Sequence, residues 1–350
     1  MSAVGKRIVD SEALRGFSAD LLRAGGFVPD HAAQTADLLV WANLRGADSH
    51  GVLRIPRYVE MVELGIINPN AEPRLVTDFG AIAVLDADRA PGAVGMVLAA
   101  DKAVSLATRS GIGWCSAKNV THAGAVGYYA QKVAQAGMIG IVMTASKPLM
   151  IYFGSKAEGV STNPIAIAAP TARLDRPILL DMSTAAVALG KIMAASDAGK
   201  TIPHGWGVDE NGADTTDPKA VKAVLPMAGP KGSGLSLMIE ILSSVLVTNS
   251  IIAPSLNGST ESSFNGLVIA VDPSAFGEKT DFTRDIDELC QAIKGLPPAS
   301  DTGQVFLPGE RGYAELDKRM QGGIPLAAGT VSRLVALATK RAVAIPTSLR

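Results

Sequence analysis

The feature that most constrains this chain is the rhythm of residues 81–183. Short apolar runs alternate there with longer stretches of helical spacing. "AIAVLDAD", "IGWCSAKNV" and "MIGIVMTAS" read as strands, and "GAVGMVLAADKAVSLATRSG" and "GAVGYYAQKVAQAG" between them read as helices. "NPIAIAAP" and "PILLDMS" add two more short strands. Strands that alternate with helices predict an α/β fold. Further on, "GSGLSLMIEILSSVLV" reads as a buried helix, "FNGLVIAVDP" as a strand and "DFTRDIDELCQAIKG" as an Asp-started amphipathic helix.

The flanks differ in texture. "VDSEALRGFSADLLRAGG" offers Asp10 and Ser11 as caps and closes on Gly25 and Gly26, so it reads as a helix. "PDHAAQTADLLVWANLRG" follows as a second helix. "LRIPRYVEMVELG" is a third, starting near Leu53 with Pro56 in its first turn. "GKTIPHGWGVDENGADTTDP", residues 199–218, consists of turn formers and predicts a long surface loop. "PGERGYAELDKRMQGG" and "GTVSRLVALATKRAV" close the chain as helices.

Length and charge narrow the function classes. The 350 residues suffice for two domains, and 32 basic against 33 acidic residues leave no basic stripe for nucleic acid. Cys115 and Cys290 cannot build a disulfide framework, and neither has a second Cys or a His at zinc-ligand spacing, so no metal site is expected. The start "MSAVGKRIVDSEALRGF" lacks a signal-peptide core, and the longest apolar helix candidate is interrupted by Glu240 and is too short for a bilayer. The expectation is a soluble cytoplasmic protein without membrane partners.

Four short motifs carry chemistry. In "RGADSHGVLRIPRY" (residues 45–58), His50 follows Ser49, and Arg54 and Arg57 come four and seven residues later. A helix starting just after His50 would put all three on one face, with His50 and Arg54 about 5–6 Å apart. "NVTHAGAVGYY" sets His122 in a strand-to-helix turn of small residues, either a close-approach ligand site or a histidine that fills the turn. "AGPKGSGL" places Lys231 among glycines before an apolar helix, which suits a phosphate and equally suits a solvated turn. "DAGKT" resembles the end of a P-loop but has Ala194 where the first glycine belongs. His31 and His204 fall in a helix start and a surface loop and are assigned no chemistry. No G-x-G-x-x-G and no G-x-S-x-G elbow occurs.

Together "DSHGVLRIPRY", "THAGAVGYYA", "STNPIAIAAP", "LLDMSTAAVALGKI", "IPHGWGVDENGADTTDP", "GPKGSGLSLMIEIL" and "LPGERGY" resemble the type-2 malate/L-lactate dehydrogenase family, over nearly the whole chain. That family also holds ureidoglycolate, sulfolactate and diketogulonate enzymes and cyclic-imine reductases. The resemblance implies a non-Rossmann NAD(P)-binding α/β fold with a mixed sheet, and a homodimer. It also implies a helical N-terminal substrate part over 1–118, a cofactor-binding domain over 119–298, and a segment over 299–350 that returns to the first domain. It implies His50, supported by Ser49, as the acid/base residue, with His122 as the rival. Arg54 and Thr162 are implied as substrate contacts. The implied NAD or NADP site is His122, Ala123, Gly124, Ala125, Val126, Ser146, Asp181, Met182, Ser183, Pro230, Lys231, Pro308, Gly309 and Glu310. The chain departs from the family pattern at three places. Ala123 stands where an aromatic is usual and Ala185 where a serine is expected. Leu189 and Lys191 stand where imine-reducing members carry His and an acid.

The chemistry agrees with that resemblance. Oxidising a 2-hydroxy acid needs a base for the hydroxyl proton, and imidazole titrates near neutrality. The carboxylate needs a planar permanent cation. The expected activity is nicotinamide-dependent hydride transfer on a small 2-hydroxy or 2-oxo acid. Reduction of a cyclic imino acid is the alternative within the family, and a non-catalytic dinucleotide-binding protein is the alternative outside it.

Overall fold

The computed structural model describes residues 7–197, 199–261, 264–300 and 303–350. Ala198, inside "DAGKT", lies outside them, as do residues 1–6 of the N-terminal stretch.

Strand β1 (Arg7–Val9) leads into α1 (Ser11–Ala24), where Asp10 caps the helix by accepting from the Glu12 and Ala13 amides. Helices α2 (Pro29–Leu44) and α3 (Ile55–Glu63) follow. The central part opens with β2 (Arg74–Phe79), β3 (Ile82–Asp86), α4 (Gly92–Ser110), β4 (Ile112–Val120), α5 (Gly127–Gln135) and β5 (Ile139–Ser146). The alternation read from the sequence is therefore present. Next come β6 (Met150–Ile151), β7 (Glu158–Val160), β8 (Pro164–Ala169), β9 (Ile178–Ser183), α6 (Leu189–Asp197), β10 (Gly207–Val208) and β11 (Ala223–Val224). Helix α7 (Pro230–Glu240) runs into a π turn (Ile241–Val245), then α8 (Ile252–Leu256), β12 (Phe264–Val271) and α9 (Lys279–Lys294). The chain ends in α10 (Glu310–Gly322), β13 (Ile324–Leu326) and α11 (Ala328–Lys340).

The main sheet has the order β2-β3-β4-β12-β5-β8-β9. Only β3 and β4 pair in parallel, joined by the α4 crossover; every other neighbour is antiparallel. Strand β12 enters from far along the chain and hydrogen-bonds to β4 on one side and β5 on the other. Alanine-rich α4 and α5 cover the sheet, burying Met96, Ala100, Leu106, Tyr129 and Val133 against it. Four short strands, β10-β11-β6-β7, form a satellite sheet over a small core with Ile192 of α6. A third core joins the two ends of the chain: Leu14, Leu21, Leu39 and Ile55 pack with Ile324, Leu334 and Ala338. The expected boundary at residue 118 falls inside β4, a central strand of the main sheet.

One helix differs from expectation in two ways. α7 starts at Pro230 rather than after Gly232, because Gly229 caps it with φ +62° and proline's fixed φ suits the first helical position. The stretch from α7 through the π turn is buried on one side only. Met238, Ile241, Val245 and Leu246 are exposed. Among the described residues no helix is long and apolar enough to cross a membrane.

One close approach sets the His122 turn on this scaffold. A Cβ on Gly92, at the start of α4, would lie 2.2 Å from the His122 carbonyl oxygen. Gly92→Ala is therefore expected to push the His122 turn away and to cost about 1–3 kcal/mol, as overpacking of rigid backbone does. Urea melts of the two proteins check this, and an unchanged midpoint would refute the contact.

Candidate active site

The segment carrying His50 is not the start of α3. Two 3-10 turns, Asp48–His50 and Val52–Arg54, precede that helix, and Gly51 between them is extended at φ −90°, ψ −156°. His50 and Arg54 thus do not share an α-helical face. They meet because the chain folds back on itself: Arg54 Nε donates to the Ser49 carbonyl at 2.8 Å. Ser49 Oγ lies 2.9 Å from His50 Nδ1.

The two sequence-predicted histidines come together. The His50 and His122 rings stack with centroids 5.9 Å apart and planes 14° from parallel. Phe264, at the start of β12, meets His122 edge-on at 6.0 Å. Tyr58 Oη lies 2.7 Å from His122 Nδ1, and the Gly124 amide donates to the same nitrogen at 3.3 Å. An amide can only donate, so Nδ1 is an acceptor and the Tyr58 hydroxyl donates as well. Neutral His122 then carries its proton on Nε2. Its lone pair is used inside the protein, and it can only donate outward. His50 has no such restriction. Ser49 Oγ can accept from Nδ1–H, which leaves the His50 Nε2 lone pair free.

Both imidazoles are held neutral. Burial, then the nearby Arg54 charge, lowers the His50 pKa to about 4. Burial, Arg54 and His50 lower that of His122 to about 3. Burial pushes the Tyr58 phenol well above its usual range. Among the described residues Arg54 forms no ion pair, so its charge is uncompensated.

The residues expected to hold a dinucleotide also converge. Ala123, Ala125 and Val126 are buried around Gly124, and the Ala123 carbonyl accepts from Tyr129 Oη at 2.6 Å. The Gly127 amide donates to Asp181 Oδ2 at 3.1 Å, and a Cβ on Gly127 would sit 2.5 Å from that oxygen. Asp181 is open to solvent yet closely ringed by protein. That burial raises its pKa, partly offset by Gly127 and by Arg45. Met182 pairs with Ile165 of β8, and Ser183 Oγ accepts from the Ala185 amide. The Thr184 carbonyl accepts from the Met227 amide at 2.9 Å and the Met227 carbonyl from the Gly232 amide at 2.8 Å. This brings Pro230 and the exposed Lys231 to the end of β9. Ser146 Oγ lies 2.6 Å from Ser161 Oγ. Asn163 accepts from the Ser146 amide and donates to the Ser236 carbonyl of α7, which places Thr162 between them. The Pro308 carbonyl accepts from the Leu179 amide, and Gly309 from Arg45 Nη2 at 3.3 Å. Glu310 is engaged by Lys294 Nζ at 2.6 Å and the Leu307 amide. His31 contacts the Pro69 carbonyl and His204 pairs with Asp214 on the surface, consistent with neither being assigned chemistry.

These groups suit an extended dinucleotide. A turn of small residues lets a flat ring approach the backbone, and an 11-residue helix begins beside Lys231. Arg45, stacked between Trp41 and Tyr313, keeps a buried Nη1 without a hydrogen-bond partner. Sequence reasoning did not find Tyr58 or Arg45. Tyr58 sits four residues beyond Arg54, a spacing that signals a shared helical face. Nothing local marks Arg45, whose partners come from residues 309 and 313.

The depressed histidines give a pH signature. The unfolded chain protonates both imidazoles as the pH falls through about 6.5, whereas the folded chain does so only near 4 and below. The unfolded state therefore binds more protons in that window. Stability is full above pH 6.5 and declines as the pH drops toward 4. The stability lost between pH 7.5 and 5.0 is expected to shrink in a His50→Gln/His122→Gln variant. Equal losses in both proteins would show that the histidines are not held neutral.

A family model described as malate/L-lactate dehydrogenase matches residues 9–335. The L-sulfolactate dehydrogenase of Methanocaldococcus jannaschii is 38% identical over 307 residues, 87% of this chain and 88% of that protein. Its solved structure matches with a TM-score of 0.86 at 34% identity, covering 96% and 98% of the two chains. The NAD(+) ureidoglycolate dehydrogenase of Escherichia coli strain K12 is 35% identical over 308 residues, 86% and 87% of the two chains. The solved delta1-piperideine-2-carboxylate reductase of Pseudomonas syringae pvar. tomato matches with a TM-score of 0.84 at 28% identity, covering 95% and 100%. The paired histidines, the unpaired arginine and these matches lead to one conclusion: this chain belongs to the malate/L-lactate dehydrogenase family.

Proposed function

We propose that this chain interconverts a small 2-hydroxy acid and its 2-oxo acid with NAD or NADP. The observation that carries the reading is Arg54, a cation with no ion-pair partner among the described residues, set beside two neutral imidazoles. A carboxylate is the ligand that completes such a site, and Arg binds it through a two-pronged, charge-assisted contact. The names of the relatives above, all acting on small acids, support the same substrate class.

Each residue then has a task. Arg54 holds the carboxylate and Thr162 lines the substrate. His50 Nε2 takes the hydroxyl proton in the oxidation direction and returns it in reduction, with Ser49 fixing the tautomer. His122 donates Nε2–H toward the reacting oxygen, and Tyr58 locks that tautomer from behind. Burial is the larger cause of the low His50 pKa and persists on binding; the substrate carboxylate offsets only the smaller Arg54 contribution and so shifts the imidazole upward. NAD or NADP, held by His122–Val126, Ser146, Asp181–Ser183, Pro230, Lys231 and Pro308–Glu310, supplies the hydride acceptor or donor. The helical ends of the chain form the substrate part and the main sheet the cofactor part. The exposed row Met238, Ile241, Val245 and Leu246 supports a homodimer that buries it. Two free cysteines, one buried, support a reducing cytoplasm.

The cyclic-imine alternative draws on the Pseudomonas syringae neighbour. Against it, α6 opens with Leu189, Gly190 and Lys191 next to Ser49, where a Gly190 Cβ would approach Ser49 Cβ to 3.3 Å. No histidine or acid is supplied there.

The test is a panel of 2-oxo acids and cyclic imines with NADH and NADPH. Turnover confined to imines would overturn the acid reading. With the best substrate, His50→Ala is expected to lose about 10²–10⁴-fold in kcat with little change in cofactor binding. Arg54→Ala is expected to lose on the order of a few kcal/mol in kcat/KM, with only partial rescue by Arg54→Lys. If His122→Ala abolishes turnover while His50→Ala is spared, the histidine roles are reversed. Met238→Glu/Val245→Glu should yield a monomer by light scattering, whereas an unchanged mass would place the interface elsewhere.

A further inference from the structure

We infer that Arg319, on the C-terminal helix α10, is a positioning residue that sets His50 through Asp48. The guanidinium is almost fully enclosed and meets four acceptor oxygens. Nη1 donates to Asp48 Oδ1 at 2.7 Å and to the Asn43 carbonyl at 2.6 Å, Nη2 to Asp48 Oδ2 at 3.2 Å, and Nε to Glu315 Oε1 at 2.5 Å. Asp48 is the first residue of the turn that holds Ser49 and His50. Its Oδ1 also accepts from Asn43 Nδ2 at 2.7 Å, while Asn43 Oδ1 accepts from the Val52 amide at 2.8 Å. The Arg319–Asp48–Asn43 network thus grips the chain two residues before His50 and two residues after it.

The turn needs that grip. Short 3-10 turns have poor hydrogen-bond geometry, and two of them meet here at an extended glycine. Left alone, the segment has little reason to hold one conformation. The pair joins an enclosed guanidinium to a half-exposed carboxylate, and such a pair adds little to stability once the cost of taking the guanidinium out of water is counted. Fixing geometry is the more natural use, because a 1 Å misplacement of a catalytic group costs on the order of 10²-fold in rate. α10 is itself braced against the proposed cofactor segment. Tyr313 Oη donates to the Pro177 carbonyl, Asp317 binds Arg176, and the Tyr313 ring stacks on Arg45. One helix therefore fixes the spacing between the His50 turn and the strand that carries Asp181.

The role as a positioning residue rests on the proposed acid chemistry, whereas the geometric clamp does not. Three variants test it: Arg319→Lys, Arg319→Met, and the pair Asp48→Asn/Arg319→Met, which removes both charges of the Asp48 contact and leaves Glu315 beside Lys318 and solvent. The readouts are kcat, KM, NADH binding by fluorescence, Tm, and the imidazole resonances of His50 and His122 by NMR. The double variant is expected to recover most of the Tm lost in Arg319→Met, yet to keep a kcat loss of about 10²-fold, with NADH binding unchanged and the His50 resonance moved while His122 stays. Arg319→Lys should recover part of kcat. A double variant with wild-type kcat and an unmoved His50 resonance overturns the proposal, and so does a kcat that simply follows Tm. If the wild-type protein turns over no acid or imine, the functional reading fails, and the His50 resonance alone decides the clamp.

Discussion

An arginine that has no acid partner among the described residues stands at the centre of this site. Arg54 is tied to the backbone by Nε, and its charge adds to burial, the larger cause, in lowering the proton affinity of both neighbouring imidazoles. Any carboxylate of the protein placed beside it would cancel that field and fill the site with an internal salt bridge. Asp48, in the same turn as His50, pairs with Arg319 instead. On the proposed reading a substrate carboxylate would complete the charge balance, so that recognising the acid would also ease the Arg54 part of the His50 depression.

The scaffold serves this arrangement through contacts distant in sequence. The two chain ends build one core around the His50 turn, and the β4–β12–β5 layer carries the His122 turn and Phe264. Gly92 and Gly127 matter because a methyl group at either would strike the very atoms that define the site. His122 is held at Nδ1 by Tyr58 and the Gly124 amide and against its ring by Phe264, as suits a group that presents one N–H in one direction.

Much of this was legible in the sequence, and the failures have physical causes. Periodicity located α2, α4, α5, β4 and β5 because each carries its own local pattern. His50, Arg54 and His122 were found as residues, but the geometry joining the first two was misread, since spacing alone cannot reveal that Gly51 is extended. β2, solvent-exposed along its length, and the two-residue strands β6, β10 and β11 have too little pattern to register. α7 was read as buried because apolar residues surround it. Its unburied side carries apolar residues too, so the pattern could not tell that side from the core. Arg319, Arg45 and Tyr313 were invisible because their partners lie up to 276 residues away.

The place of β12 has a consequence for biosynthesis. β4 and β5, completed by residue 146, have no bond to each other and wait for residues 264–271 to fill the gap between them. A ribosome adding about 5–20 residues per second leaves those edges open for many seconds while the intervening segment is made. Unpaired strands of this kind invite pairing with other chains, and contacts so distant in sequence slow the final assembly. The layer that carries His122 and Phe264 thus becomes whole only after three quarters of the chain has been made.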